Sequence, residues 1–168
     1  SPTVVPKGKG AGMLKDLDTL KAFLDDIYAH APIKVSIKTR IGLESTEEWP
    51  ALLSLYAQYP VQELIIHVRT RSEFYKGDVH HDAFELAQKT VSYPLCYNGD
   101  LFTATACREF ERDYSGTSAL MLGRGLLANP ALAQTVSPGT PLTRATLRAF
   151  HDDLYRAYHE AYPKSVVL

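Results

Sequence analysis

Pro94-Leu95-Cys96-Tyr97-Asn98-Gly99-Asp100 is the stretch whose reading decides the fold. An apolar run of strand length ends in an Asn-Gly pair, and between two strands such a pair signals a hairpin. Here the next segment, Ala104 to Tyr114, has helical periodicity, so no hairpin partner follows and the chain leaves the strand through a helix. The strand predicted after it, Ala119 to Leu122, then pairs in parallel, because the helix is the crossover that brings the chain back to the same end of the sheet.

Working outward, the same unit recurs. Upstream lie a helix over His81 to Val91, a strand over Glu63 to Val68, and a helix over Thr46 to Tyr59 in which Trp49, Leu52, Leu53 and Tyr56 recur three or four apart. Before those come a strand of alternating β-branched residues, Ile33 to Thr39, and an amphipathic helix over Asp16 to Ala29, ended by Pro32. Its apolar face is Leu17, Leu20, Phe23, Leu24 and Ile27. The class is α/β with a parallel sheet, and the units suit either a doubly wound sheet or part of a (β/α)8 barrel. Polar residues favour the barrel: Lys38 and Arg40, His67 and Arg69, Asn98 and Asp100, and Gly123 and Arg124 all stand at or just beyond the C-terminal end of a strand, where barrel enzymes place their chemistry.

Downstream, Ser137-Pro138-Gly139-Thr140-Pro141 reads as a linker. It divides a partial barrel domain, 1–136, from a second region, 137–168, made of the linker and the first helix of a helical domain. That helix is expected over Thr143 to Tyr162, with Thr143 as N-cap and Leu147, Phe150, Leu154 and Tyr158 as its apolar stripe.

The 168 residues are 45% hydrophobic and 22% charged, enough to bury a core. Eighteen basic against nineteen acidic residues, a formal charge of -1, argue against nucleic-acid binding by bulk electrostatics and leave room for a local basic patch. Cys96 and Cys107 form no zinc or disulfide pattern, which suits a reducing cytoplasmic setting. No segment approaches the length of apolar chain that crosses a bilayer, so no membrane partner is expected.

Gly123-Arg124-Gly125 follows the apolar run Ala119-Leu120-Met121-Leu122; glycines let a phosphate come close to the backbone. Alone, the triplet reads equally as a tight turn. Paired with Asn98-Gly99-Asp100 after the preceding strand, it makes a shared anion site the better reading. Lys38 at a barrel mouth would meet an electron-rich ring or an oxyanion, although a lysine lying along the surface fits the sequence too. His67 reads either as a hydrogen-bond partner of a cofactor or as a core histidine.

These residues together resemble the tRNA-dihydrouridine synthase family. The resemblance rests on five segments in order: Lys7-Gly8-x-Gly10-Ala11-x-Met13-Leu14-Lys15-Asp16; Ile37-Lys38-Thr39-Arg40-Ile41-Gly42; His67-Val68-Arg69-Thr70-Arg71 with Tyr75 and Gly77; Asn98-Gly99-Asp100; and Leu122-Gly123-Arg124-Gly125 with Asn129-Pro130. It covers Ser1 to Pro130 and implies the C-terminal half of a (β/α)8 TIM barrel. It also implies FMN as cofactor and NADPH as reductant, with tRNA as the partner whose uridine C5=C6 bond is reduced. By the resemblance, Lys38 and His67 contact the flavin, and Asn98, Gly99, Asp100, Gly123 and Arg124 hold its ribityl chain and phosphate. Arg40, Arg69, Arg71 and Tyr75 line the mouth for RNA phosphates or the uracil. The family's proton-donating cysteine, in an Asn-x-x-Cys-Pro motif, is expected just upstream of Ser1, so this chain is expected to lack it and to be inactive alone. A full-length protein is expected to be monomeric, whereas the isolated chain is expected to self-associate. Another FMN-dependent barrel acting on free pyrimidines, and a non-catalytic RNA-binding barrel, remain the alternatives.

Overall fold

Four short strands carry the architecture: β1 (Ile37–Arg40), β2 (Leu64–His67), β3 (Leu95–Asn98) and β4 (Ala119–Leu120). In this computed structural model, which describes residues 3–136 and 142–162, they form one parallel sheet in the order β1-β2-β3-β4. Helices α1 (Leu17–His30), α2 (Trp49–Tyr56), α3 (His81–Thr90) and α4 (Ala104–Asp113) alternate with the strands. Short helices α5 (Arg124–Ala128) and α6 (Leu132–Val136) follow, then α7 (Arg144–Ala161).

The helix starts have local causes. Asp16 caps α1, its carboxylate accepting the backbone N–H of Asp18 at 3.0 Å, and Thr103 and Thr143 cap α4 and α7 through the N–H groups of Ala106 and Thr146. The helix expected over 46–59 divides in two: a 3-10 turn, Thr46–Glu48, precedes α2, and Pro50 sits in the first turn of α2, where its missing N–H has no partner to lose.

Register settles which sheet face the helices cover. Thr39, Ile66 and Tyr97 align across the sheet, and all are buried. The Thr39 hydroxyl meets the Tyr56 hydroxyl of α2 at 3.0 Å, while Phe84 of α3 and Phe110 of α4 pack on Tyr97 with centroids 5.3 and 3.8 Å away. The helices therefore cover one face of the sheet, the face that is outermost in a barrel, and a doubly wound arrangement with helices on both faces does not apply. The core also holds Trp49, Leu52, Leu53, Leu64 and Phe84, none more than 1% exposed.

Three expectations need correction. The strand expected from Ile33 begins only at Ile37, and Ile33 is 75% exposed, because the backbone first engages the sheet when the Gln62 N–H donates to the Val35 carbonyl. The strand expected over 119–122 stops at Leu120. On α1 only Leu20 and Leu24 are buried, while Leu17 and Phe23 stay exposed. The predicted linker, 137–141, lies outside the described residues. Among the described residues no helix is long and apolar enough to cross a membrane.

Candidate active site

Strand alternation turns one set of side chains away from the helices. Register puts Lys38, Ile65, Cys96 and Ala119 in one row on that inner face and Arg40, His67 and Asn98 in the row above, at the C-terminal rim. The Lys38 ammonium crosses β2 and donates to the Asn98 side-chain oxygen at 2.9 Å, and the Asn98 amide donates to the Met121 carbonyl at 2.8 Å. The ends of β1 and β3 and the chain just past β4 are thus tied by side chains over the inner face.

Electrostatics there work against charging both basic groups. Burial, with the Arg40 charge second, pulls the Lys38 ammonium below its usual range. His67, 8% exposed, is brought down to about 4 by burial first and then by the charges of Arg40, Lys38 and Arg69. A neutral imidazole keeps one donor and one acceptor nitrogen for a ligand.

Asp100 is the hub of the rim. Arg69 grips its carboxylate with two bonds, at 2.9 and 2.6 Å, and the Arg124 guanidinium donates to the same carboxylate through Nη2. Arg69 also donates to the Gly77 carbonyl at 2.6 Å. The Arg69 side chain is 1% exposed, against 32% for Asp100 and 38% for Arg124. Expected to meet RNA, Arg69 is instead enclosed, with its terminal nitrogens spent inside the protein. The Arg69 pairing is the first cause that holds the Asp100 carboxyl below the usual carboxylate range.

The loop after β2 folds over this hub. Arg40 donates to the Thr70 carbonyl at 2.5 Å and to the Phe74 carbonyl at 3.2 Å, and Phe74 stands at φ 54, a left-handed conformation that a phenylalanine adopts only under constraint. The Arg71 guanidinium lies over the Phe74 ring, 5.1 Å from its centroid. Tyr75 is 57% exposed and sits beside Arg124 and Arg40, with 4.4 and 5.9 Å from guanidinium carbon to ring centroid; its ring is 5.9 Å from that of His67. Exposed aromatic rings interleaved with arginines make a surface on which a base can stack beside paired phosphates.

The rim glycines divide by role. A Cβ on Gly99 would run into the Tyr97 ring and hydroxyl, and one on Gly125 would overlap the Leu101 carbonyl, so both are required by packing. Gly123 has nothing within 4 Å of its Cβ position, which leaves open approach to the backbone beside Arg124. A cleft of about 600 Å³ at the edge of β1 away from β2 is lined by Lys38, Arg40, His67 and Tyr75 together with Leu20, Leu24, Ile27 and Tyr56. A hollow of about 750 Å³ beside α7 is lined by Arg144, Leu147, Arg148 and His151 and includes no strand-end residue.

Two contact groups meet at this end of the sheet: Lys38 with Asn98, and Arg40, His67, Tyr75, Arg124 and Asp100 through the Tyr75 ring and the Asp100 carboxylate, with Arg71 bordering them through Phe74; strand register sets Arg40, His67 and Asn98 side by side. Sequence reading missed three residues. Phe102 lies under Arg124 at 5.4 Å; the Glu73 carboxylate accepts the Thr70 N–H at 2.6 Å and meets His80 Nε2 at 2.7 Å; and the Gly77 carbonyl receives Arg69. Gly77 stood in the sequence among the segments of the family resemblance, but nothing local there announced that its carbonyl would receive Arg69. Among the described residues no group of three His, Cys, Asp or Glu side chains could hold a metal ion.

Comparison with known proteins gives the family. The sequence pattern of the family described as dihydrouridine synthase (Dus) matches residues 1–162. A tRNA-dihydrouridine(16) synthase from Aquipseudomonas alcaligenes is 31% identical over 137 residues, covering 80% of this chain and 43% of that protein. A tRNA-dihydrouridine synthase B from Pasteurella multocida (strain Pm70) is 30% identical over 127 residues, covering 75% and 38%. A probable tRNA-dihydrouridine synthase from Rhizobium leguminosarum bv. phaseoli is 28% identical over 160 residues, covering 95% and 50%. The chain spans half or less of the length of these relatives. With a family match over residues 1–162 and a four-stranded parallel sheet covered by helices on one face, the chain belongs to the dihydrouridine synthase family.

Proposed function

We propose that the full-length protein is an FMN-dependent tRNA-dihydrouridine synthase and that this chain supplies the rim that holds the flavin. The observation that supports the reading is the gathering of Lys38, His67 and Asn98, from three neighbouring strands, and Arg124, from the start of α5, at one end of the inner sheet face. The donor set fits the cofactor. Lys38 offers a cation to the electron-rich edge of the ring, neutral His67 and the Asn98 amide offer hydrogen bonds, and Gly123 with Arg124 offers open backbone and a positive charge to the phosphate.

Bound FMN, reduced by NADPH, would supply the hydride for the uracil C5=C6 bond. The chain's own residues orient and exclude. Asn98 fixes the Lys38 ammonium, so its charge is in place before any ligand arrives. The Arg40, Arg71 and Tyr75 loop would receive the RNA, whose target base must leave its stack to reach a buried ring. The proton for the second carbon comes, in this reading, from a cysteine elsewhere in the full-length protein. Cys96 and Cys107 do not fit that role: both are buried, and burial raises both thiols, Cys96 to about 11. The 1–168 chain alone would then be inactive. Free Cys96 and Cys107 support a reducing, cytoplasmic setting for the reaction in this reading.

The test is reduction of unmodified tRNA by the full-length protein with FMN and NADPH, scored as dihydrouridine in digested RNA. We expect tRNA to be reduced and free uracil not. Reduction of free uracil alone would point to a small-molecule flavoenzyme, and tRNA binding with no flavin uptake would point to a non-catalytic RNA-binding protein.

A further inference from the structure

Asp100 is placed by the family resemblance among the groups that touch the cofactor, yet its surroundings leave it little to offer. A carboxylate has about four acceptor positions, and here Arg69 takes one on each oxygen and Arg124 a further one on Oδ1. Its negative charge also stands next to the site proposed for an anion. Arg69 resolves this conflict: buried to 1% exposure, it is the counter-charge to Asp100, so the three groups together keep one net positive charge, on the more exposed Arg124. Two rings complete the mount, Tyr75 at 4.4 Å and Phe102 at 5.4 Å from the Arg124 guanidinium carbon.

We infer that Asp100, backed by Arg69, is a positioning residue that aims Arg124 at the phosphate of the cofactor and does not itself contact the ligand. The inference rests on the flavin reading above and deepens it. The same contacts tie the phosphate loop to the substrate loop, since Arg69 also holds the Gly77 carbonyl and Arg124 the Tyr75 ring. Misplacing Arg124 therefore costs phosphate recognition specifically, whereas loss of a direct ribityl contact would weaken every flavin alike.

FMN and riboflavin, which differ only in the phosphate, separate these outcomes. Calorimetric titration of both into the flavin-free full-length protein is expected to show a preference of wild type for FMN. In Asp100→Asn that preference falls about tenfold, the size expected for one misplaced charge-assisted contact, with riboflavin affinity unchanged. In an Arg124→Gln background, Asp100→Asn has no further effect on the preference, because it acts through the arginine. Asp100→Glu keeps Arg69 paired while shifting Arg124, and shows the same selective loss should Asp100→Asn fail to fold. Equal weakening of FMN and riboflavin, or an undiminished FMN preference in folded variants, overturns the inference with the flavin reading intact. A folded wild type that takes neither ligand overturns both.

Discussion

His67 shows how one side chain carries the character of the site. Its imidazole sits below its ordinary value, at about 4, because burial and the nearby Arg40, Lys38 and Arg69 disfavour its charged form. Unfolding frees it to titrate near the ordinary histidine value of 6.5. Between those values the unfolded chain takes up a proton that the folded one refuses. The His67 contribution to stability is therefore complete above the unfolded value and is lost as pH falls toward 4, on the order of 3 kcal/mol over the window. Denaturant titrations from pH 7 to pH 4 should show this slope in wild type and a shallower one in His67→Gln; identical slopes would remove the histidine from the account.

Among the elements, the helix-to-sheet packing was legible in the sequence, and the rim contacts were not. Trp49, Leu52, Leu53 and Tyr56 repeat at helical spacing, and all four are buried, since period reports directly which face meets the core. Strand ends could also be read, from turn residues and glycines. The Asp100 pairing could not: its partners stand 31 and 24 residues away, one in the loop after β2 and one at the start of α5, and neither periodicity nor composition encodes which cation a carboxylate meets. For the same reason Arg69 read as a substrate residue, although it is enclosed. The short β4 was over-extended because the apolar run through Leu122 continues past the last ladder pair, Tyr97 with Leu120. The contact between α2 and α3 allows a direct check. The Trp49 indole donates to the Ala83 carbonyl at 2.8 Å and is 1% exposed, so Trp49→Phe should lose that bond and open a void, lowering unfolding free energy by about 1–3 kcal/mol. A change of a few tenths of a kcal/mol in chemical denaturation would mean that this contact holds nothing together.

For the whole molecule, the sheet geometry has consequences in solution. Among the described residues β1 pairs only with β2 and β4 only with β3, and the stripe Leu147, Phe150, Leu154 and Tyr158 on α7 is 43–55% exposed. Open strand edges and an uncovered apolar stripe favour association. The 1–168 chain should therefore sediment as dimers or larger species, and Phe150→Glu with Leu154→Glu should reduce them; a monodisperse wild-type monomer would contradict this. The central claim is that the inner rim of the parallel sheet is a flavin cradle organised around Lys38. Its most direct test is titration of FMN into the flavin-free full-length protein, followed by flavin fluorescence, for wild type, Lys38→Ala and Tyr93→Phe, the last placed at the opposite end of the sheet just before β3. The account predicts a yellow one-to-one complex in wild type, affinity weakened about tenfold or more in Lys38→Ala as a charged contact is lost, and no change in Tyr93→Phe. A folded wild type that takes up no FMN, or equal weakening by the two substitutions, would contradict it.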